Sequence, residues 1–301
     1  MCCMTNLLDI ISCHVIFIKN FIFNQRRNKG QMEKRRYTEA VEDQLNIKQV
    51  PRTLESTREP DATFVDFTDD ETKLELKNDE YLEYFDRCYE PQVLLTTSDN
   101  PHTKTLRFVK ELTKIFPNSH YLRRERSSIK KIIQSAKKRN YTDIVIINED
   151  KRKPDGLLVS HLPKGPTAFF KLSSVKLTND IKHGIIQEFT GHRPEVILNN
   201  FHTRLGQLVS RVLAALFHYD PQFKGRRAVT FHNQRDYIFF RHHRYEFKSS
   251  SKAALRELGP RFTLRLQWLQ DGTFDTIHGD YEWNINGKRH EIETSRRKFF
   301  L

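Results

Sequence analysis

Between Arg226 and Arg265 the chain carries Arg226, Arg227, Arg235, Arg241, His242, His243, Arg244, Arg261 and Arg265, interleaved with Tyr237, Ile238, Phe239, Phe240, Tyr245 and Phe247. A guanidinium fork meets phosphate oxygens well, and an exposed ring can stack on an unpaired base. Guanidinium groups and rings together are chemistry for holding nucleic acid. The plainer alternative is a solvated face with a few ion pairs. In Gly259-Pro260-Arg261-Phe262-Thr263-Leu264-Arg265-Leu266 a strand would put Arg261 and Arg265 on one side and Phe262, Leu264 and Leu266 on the other. Such a strand has one cationic face and one core face, and Glu257 is the only acid near it before Asp271. The arginines named above are expected on phosphates, with Tyr237 or Phe240 available for stacking. The tail adds Arg296, Arg297 and Lys298 before Phe299-Phe300-Leu301, as a phosphate clamp, a nuclear-import signal or a docked final strand.

Composition points the same way. A net charge of +13 over 301 residues favours a polyanionic partner, nucleic acid before an anionic membrane surface. Catalytic patterns are lacking: there is no GxxxxGK[ST], HExxH or GxSxG. Asn148-Glu149-Asp150 reads as a charged turn rather than a metal site, and the adjacent His242 and His243 point to opposite sides of a strand. The four cysteines (Cys2, Cys3, Cys13, Cys88) have no paired CxxC spacing, so neither a zinc site nor a disulfide framework is encoded and a reducing compartment is implied. No enzyme, metal or cofactor is expected.

Strands that present such a face need a scaffold. Val93–Thr96, Asp143–Asn148, Leu157–Ser160, Thr167–Leu172 and Glu195–Asn199 read as strands. Helices are predicted over 103–116, from a Ser127-Ser128 cap to Lys138, and over His202–Phe217. Three segments recur in order about one hundred residues apart. Strand, polar turn and helix at Val93–Phe116 match Glu195–Phe217. Asp143-Ile144-Val145-Ile146 matches Asp236-Tyr237-Ile238-Phe239, and Gly165–Leu172 matches Gly259–Leu266. The expected fold is α/β with two pseudo-repeated halves, 89–190 and 191–301, about a shared or facing pair of sheets.

Ahead of them, residues 32–88 form a charged arm that turns acidic over 59–83, suited to protein contact. Residues 1–31 stand apart as an apolar extension. Leu7–Phe23 is interrupted by Asp9, His14 and Lys19, which speaks against a clean membrane span, so no membrane partner is expected.

Several strings resemble the Brix-domain family, and within it the ribosome production factor type. They are KQVPRTLESTREPD (48–61), TTSDNPHTKTLRF (96–108), FPNSHY (116–121), TDIVIINED (142–150), GLLVSHLPKGPTAFFKLSSVKL (156–177), EVILNNFHTRLG (195–206), FHNQRDYIFFRHHRYEF (231–247), ELGPRFTLRLQWLQDGTFD (257–275) and TSRRKFFL (294–301). The resemblance implies a two-halved domain like anticodon-binding domains. It also implies a nucleolar, non-catalytic factor that binds precursor rRNA of the large ribosomal subunit within the pre-ribosomal particle, beside a dedicated protein assembly-factor partner. Gly259-Pro260-Arg261-Phe262 falls on the family's sigma-70-like motif, associated there with RNA binding. Members of this type tend to carry a long basic arm before the 48–61 string, where this chain has Leu7–Phe23.

Overall fold

The computed structural model describes residues 51–53, 56–57, 64–65, 80–181, 190–249, 252–274, 279–285 and 299–301. The apolar extension 1–31, most of the charged arm and the tail residues Arg296, Arg297 and Lys298 lie outside the described residues. The chain divides into two compact units, 1–58 and 59–301. In the first, Thr53 and Ser56 exchange side-chain-to-backbone hydrogen bonds.

The second unit is α/β and doubled. A short helix α1 (Leu82–Phe85) precedes its first half, which runs β1 (Val93–Thr97), α2 (Thr103–Thr113), β2 (Ser119–Tyr121), α3 (Ile129–Lys138), β3 (Asp143–Asp150), β4 (Lys153–His161) and β5 (Thr167–Lys176). Its second half runs β6 (Glu195–Asn199), α4 (Arg204–Ala215), β7 (Arg227–Gln234), β8 (Tyr237–Ser249), β9 (Lys252–Glu257), β10 (Arg261–Gln270) and β11 (Tyr281–Asn284). One sheet takes them all, in the order β2-β1-β3-β4-β5-β10-β8-β7-β6, with β9 paired to β8 and β11 to β10. The shared-sheet form of the duplication is the one realised.

Topology makes the repeat explicit. β1 lies parallel to β3, and β6 lies parallel to β7. Antiparallel strands β4 and β5 follow in one half, β8 and β10 in the other, and β5 pairs with β10 at the seam. Each β3–β4 or β7–β8 hairpin turns on two residues with positive φ, Lys151-Arg152 (48°, 63°) and Arg235-Asp236 (56°, 62°), the geometry that matches strand twist. Two expectations are thereby corrected. The topological partner of β3 is β7, so Asp143 corresponds to the start of β7 and Asp236 belongs to a turn. Asn148-Glu149-Asp150, expected as a charged turn, closes strand β3, and the turn is Lys151-Arg152. The Gly-Pro match holds: Gly165 and Gly259 both have positive φ (124° and 76°) just before β5 and β10. A Cβ at Gly165 would come within 2.5 Å of the Gly272 backbone.

Helices cover the sheet unequally. α2 and α4 lie on one face, where Phe108, Val109 and Leu112 and then Val209, Val212 and Leu213 join the main core with Val145, Phe170, Phe231, Phe240, Phe262 and Leu264. Ser128 caps α3 by accepting from the Lys131 N–H. α3 packs on the opposite face, its Ile132, Ile133 and Ala136 lying over Leu94, Ile144, Ile146 and Leu158. In the second half the chain passes from α4 to β7 with no counterpart of β2 or α3.

Candidate nucleic-acid interface

That omission leaves the outer face of the second half without a helix among the described residues. On β8 the side chains alternate, so Tyr237, Phe239, Arg241 and His243 face outward while Ile238, Phe240 and His242 are buried. On β10, Arg261 and Arg265 are half-buried on the outer face and Phe262, Leu264 and Leu266 fill the core, as the alternation predicts. The register sets Thr263 opposite Phe239, His232 opposite Phe239 and Thr230 opposite Arg241. The Arg265 guanidinium stacks over the Tyr237 ring at 5.3 Å, and that of Arg241 lies 5.9 Å from the Phe239 ring.

Across the seam stand two further cations. Lys171 pairs with Arg265 and Lys176 with Arg261 in the β5–β10 register, and both lysines are exposed. Lys171 and Arg265 are also equivalent positions of the Gly-Pro repeat, so the pseudo-twofold axis passes between them. Like charges directly opposite on a sheet repel and weaken it. Glu257 relieves one rung, with its carboxylate 2.5 Å from Arg261 Nη2. The Lys171–Arg265 rung has no carboxylate at ion-pair distance among the described residues, and Arg265 Nε is buried without a hydrogen-bond acceptor.

The electrostatics sharpen where charge resides. Burial pulls the Arg241 guanidinium below its usual range, opposed by Glu257 and aided by Arg261. Burial also lowers His243, which is therefore neutral at pH 7 and adds nothing to the basic face.

The remaining sequence-predicted residues scatter. Arg227 and Phe240 are corrected: both are core residues, 3% and 0% exposed. Arg227 donates to the carbonyls of Thr190 (2.5 Å), His192 (3.0 Å) and Lys114 (3.1 Å) and to His242 Nε2 (3.1 Å), which ties the two halves together and leaves nothing for a polyanion. Phe240 stacks on Phe262 at 4.3 Å inside the core. Arg235 is exposed at the β7–β8 turn, whereas Arg226 and Arg244 are exposed at the other end of that hairpin, about 25 Å away at roughly 3.3 Å per residue. Arg244 also projects to the side opposite Arg241. The face therefore gathers Tyr237, Arg241, Arg261 and Arg265, and adds Lys171, Lys176, Phe239 and His232, which the sequence reading did not select.

Glu149 has a structural occupation as well. Its carboxylate accepts the His102 backbone N–H at 2.9 Å and contacts the His102 ring at the start of α2. Burial would raise this carboxyl, but the hydrogen bonds it accepts, from His102 among others, hold it below the usual range. Among the described residues no cluster of three potential metal ligands occurs.

A doubled α/β unit on one continuous sheet, with cations and no covering helix among the described residues on the outer face of one half, defines the class of fold. Within that class, the family profile of the Brix domain matches residues 98–268, and the chain belongs to the Brix-domain family. A protein of Drosophila melanogaster called "Probable ribosome production factor 1" is 62% identical over 254 residues, covering 83% of this chain and 64% of that protein. Ribosome production factor 1 of Xenopus laevis is 51% identical over 263 residues, 87% of this chain and 76% of that protein. The chain thus spans just under two thirds of the Drosophila relative's length. The solved structure of a probable ribosomal biogenesis protein from Aeropyrum pernix K1 aligns over 58% of this chain and 96% of that chain, with 16% identity and a TM-score of 0.43.

Proposed function

We propose that this chain is a non-catalytic ribosome-biogenesis factor of the nucleus and nucleolus. It binds structured precursor rRNA of the large subunit through the open sheet face of its second half, within the pre-ribosomal particle. The halves 89–190 and 191–301 share one sheet, and the acidic arm over 59–83 serves a dedicated protein assembly-factor partner. The observation that carries the RNA reading is the Lys171–Arg265 rung, two cations opposed on a face with no covering helix and no neutralising acid among the described residues. A sheet gains nothing from that repulsion, whereas a phosphate set between the two heads would turn it into attraction. Support for the ribosomal setting comes from the family and from the names of relatives 51–62% identical to this chain.

Reversing both charges (Lys171→Glu with Arg265→Glu) is expected to weaken binding to pre-rRNA fragments on the order of 30-fold and to flatten the salt slope by about two, in titrations at several salt concentrations. Affinity and slope equal to those of the unmodified protein would remove this face from the site. A second reading has an observation of its own: Glu257 seated on Arg261 shows that the face accepts a carboxylate, so an acidic protein could dock there. Crosslinking in cells separates the two, because a protein-docking face yields no RNA adduct at β8 or β10.

A further inference from the structure

The halves also differ where a strand end meets a helix start. Both carry Asn-x-His-Thr at this corner, Asn100-Pro101-His102-Thr103 and Asn200-Phe201-His202-Thr203, with left-handed φ at each asparagine (51° and 63°). In the second half the corner is filled by the chain itself. Thr203 Oγ1 donates to the Phe300 carbonyl (2.7 Å) and Asn233 Nδ2 to that of Leu301 (2.9 Å). Asp236 accepts both N–H groups, of Phe300 at 2.8 Å and Leu301 at 2.9 Å. In the first half the Asn100-Pro101 end of this segment meets the loop that follows β2, an element the second half lacks, and the two line a crevice of about 240 Å³ with Ser98, Arg123, Arg124, Glu125 and Arg126.

The crevice lies beyond the carboxyl ends of the parallel strands β1 and β2. The chain leaves β1 for α2 on one face of the sheet and leaves β2 for α3 on the other. Divergence of that kind opens the clefts in which parallel α/β sheets hold ligands. Its chemistry is set by three guanidinium groups. Arg124 Nε donates to the Ser127 carbonyl at 2.9 Å and lies 3.5 Å from Asp99, which fixes the side chain while its terminal nitrogens make no hydrogen bond or ion pair among the described residues. Arg123 and Arg126 form no ion pair among the described residues. One acid, Glu125, is in the lining, and a second, Asp99, stands behind it engaged with Arg124. Glu149 already occupies the first turn of α2, so the arginines and not the helix end make the site. At about 240 Å³ the crevice is smaller than the roughly 300–1,000 Å³ of sites for drug-sized ligands, which suits a compact anion.

We propose that this crevice binds a phosphate group through Arg123, Arg124 and Arg126, with Ser98 and Asn100 as neutral hydrogen-bond partners. The phosphate comes from an RNA backbone or from the terminus of a nucleotide. None of Lys171, Lys176, Arg261 or Arg265 takes part, so loss of this site and loss of the open-face reading are separable. The test follows arginine Nε–Hε signals of the full chain by NMR during titration with inorganic pyrophosphate, and in parallel with a short single-stranded RNA lacking terminal phosphates. Saturable shifts of the Arg124 and Arg126 signals are expected. A response to RNA alone assigns a backbone phosphate, and a response to pyrophosphate assigns a terminal one. Arg123→Gln with Arg126→Gln should weaken the responding ligand about tenfold at unchanged melting temperature, and Glu125→Gln should tighten it two- to fivefold, by roughly one charge contact each. No saturable shift with either probe, or a double variant that binds as the unmodified protein does, overturns the proposal.

Discussion

On one side of the seam the outer sheet face is closed by a helix, and on the other no helix covers it among the described residues. α3 lays Ile132, Ile133 and Ala136 over the first half, whereas the same surface of the second half shows Thr230, His232, Phe239, Arg241 and Arg265. The inner faces are alike, each carrying one long amphipathic helix on an apolar sheet. A duplicated fold thus gains a free surface wherever one copy omits an element, and that surface can change its residues without touching the core. Cations collected on it would have destabilised the first half, where burial under a helix forbids unpaired charge.

The contrast can be broken most directly by truncating one residue on each side. Ile132→Ala removes a buried contact under α3 and should cost about 2–4 kcal/mol in urea unfolding, whereas Phe239→Ala on the bare face should cost less than about 1 kcal/mol. Equal losses would mean that the second face is covered after all.

A second contrast lies in the buried histidines. His161 pairs with the Asp143 carboxylate (2.8 Å) at the start of β3, and His242 with the Arg227 guanidinium (3.1 Å) at the start of β7. Burial, with the Arg227 charge, pushes His242 from 6.5 down to about 3. Below 6.5 the unfolded chain takes up a proton that the folded chain refuses. The stability that His242 contributes is therefore complete above that pH and is lost as pH falls toward 3. Melting between pH 7 and 5 should show a loss of about 2 kcal/mol that His242→Asn abolishes. If the variant keeps the same slope, the acid sensitivity lies elsewhere.

The smallest effect separates two arginines on one strand. Arg261→Gln, whose guanidinium is already engaged by Glu257, should change RNA affinity by less than about threefold, against on the order of tenfold for Arg265→Gln in the same titration. The reverse order would place the contact at the Glu257 end of β10.

The residues themselves show why some of this was legible and some was not. Period-two spacing placed Arg261 and Arg265 opposite Phe262, Leu264 and Leu266, because apolar and charged residues alternate cleanly on β10. The run Tyr237–Arg244 offers rings and cations at both odd and even positions, so only the docking of α4 decides that Phe240 and His242 turn inward. Arg227 looks like any surface arginine until the carbonyls of Thr190, His192 and Lys114 converge on it. The Asp143 and Asp236 strings matched because each opens a hydrophobic run, and a short apolar run does not say which of two successive strands it belongs to. Lys171 became part of the face only through the β5–β10 pairing, a long-range contact that no local pattern reports.

That central pairing has one more consequence. Cut between β5 and β10, either copy would expose a naked inner strand, the kind of edge along which identical units join as symmetric dimers. Fusing them in one gene locks the stoichiometry and hides both edges, so that afterwards each copy could diverge without waiting for its twin.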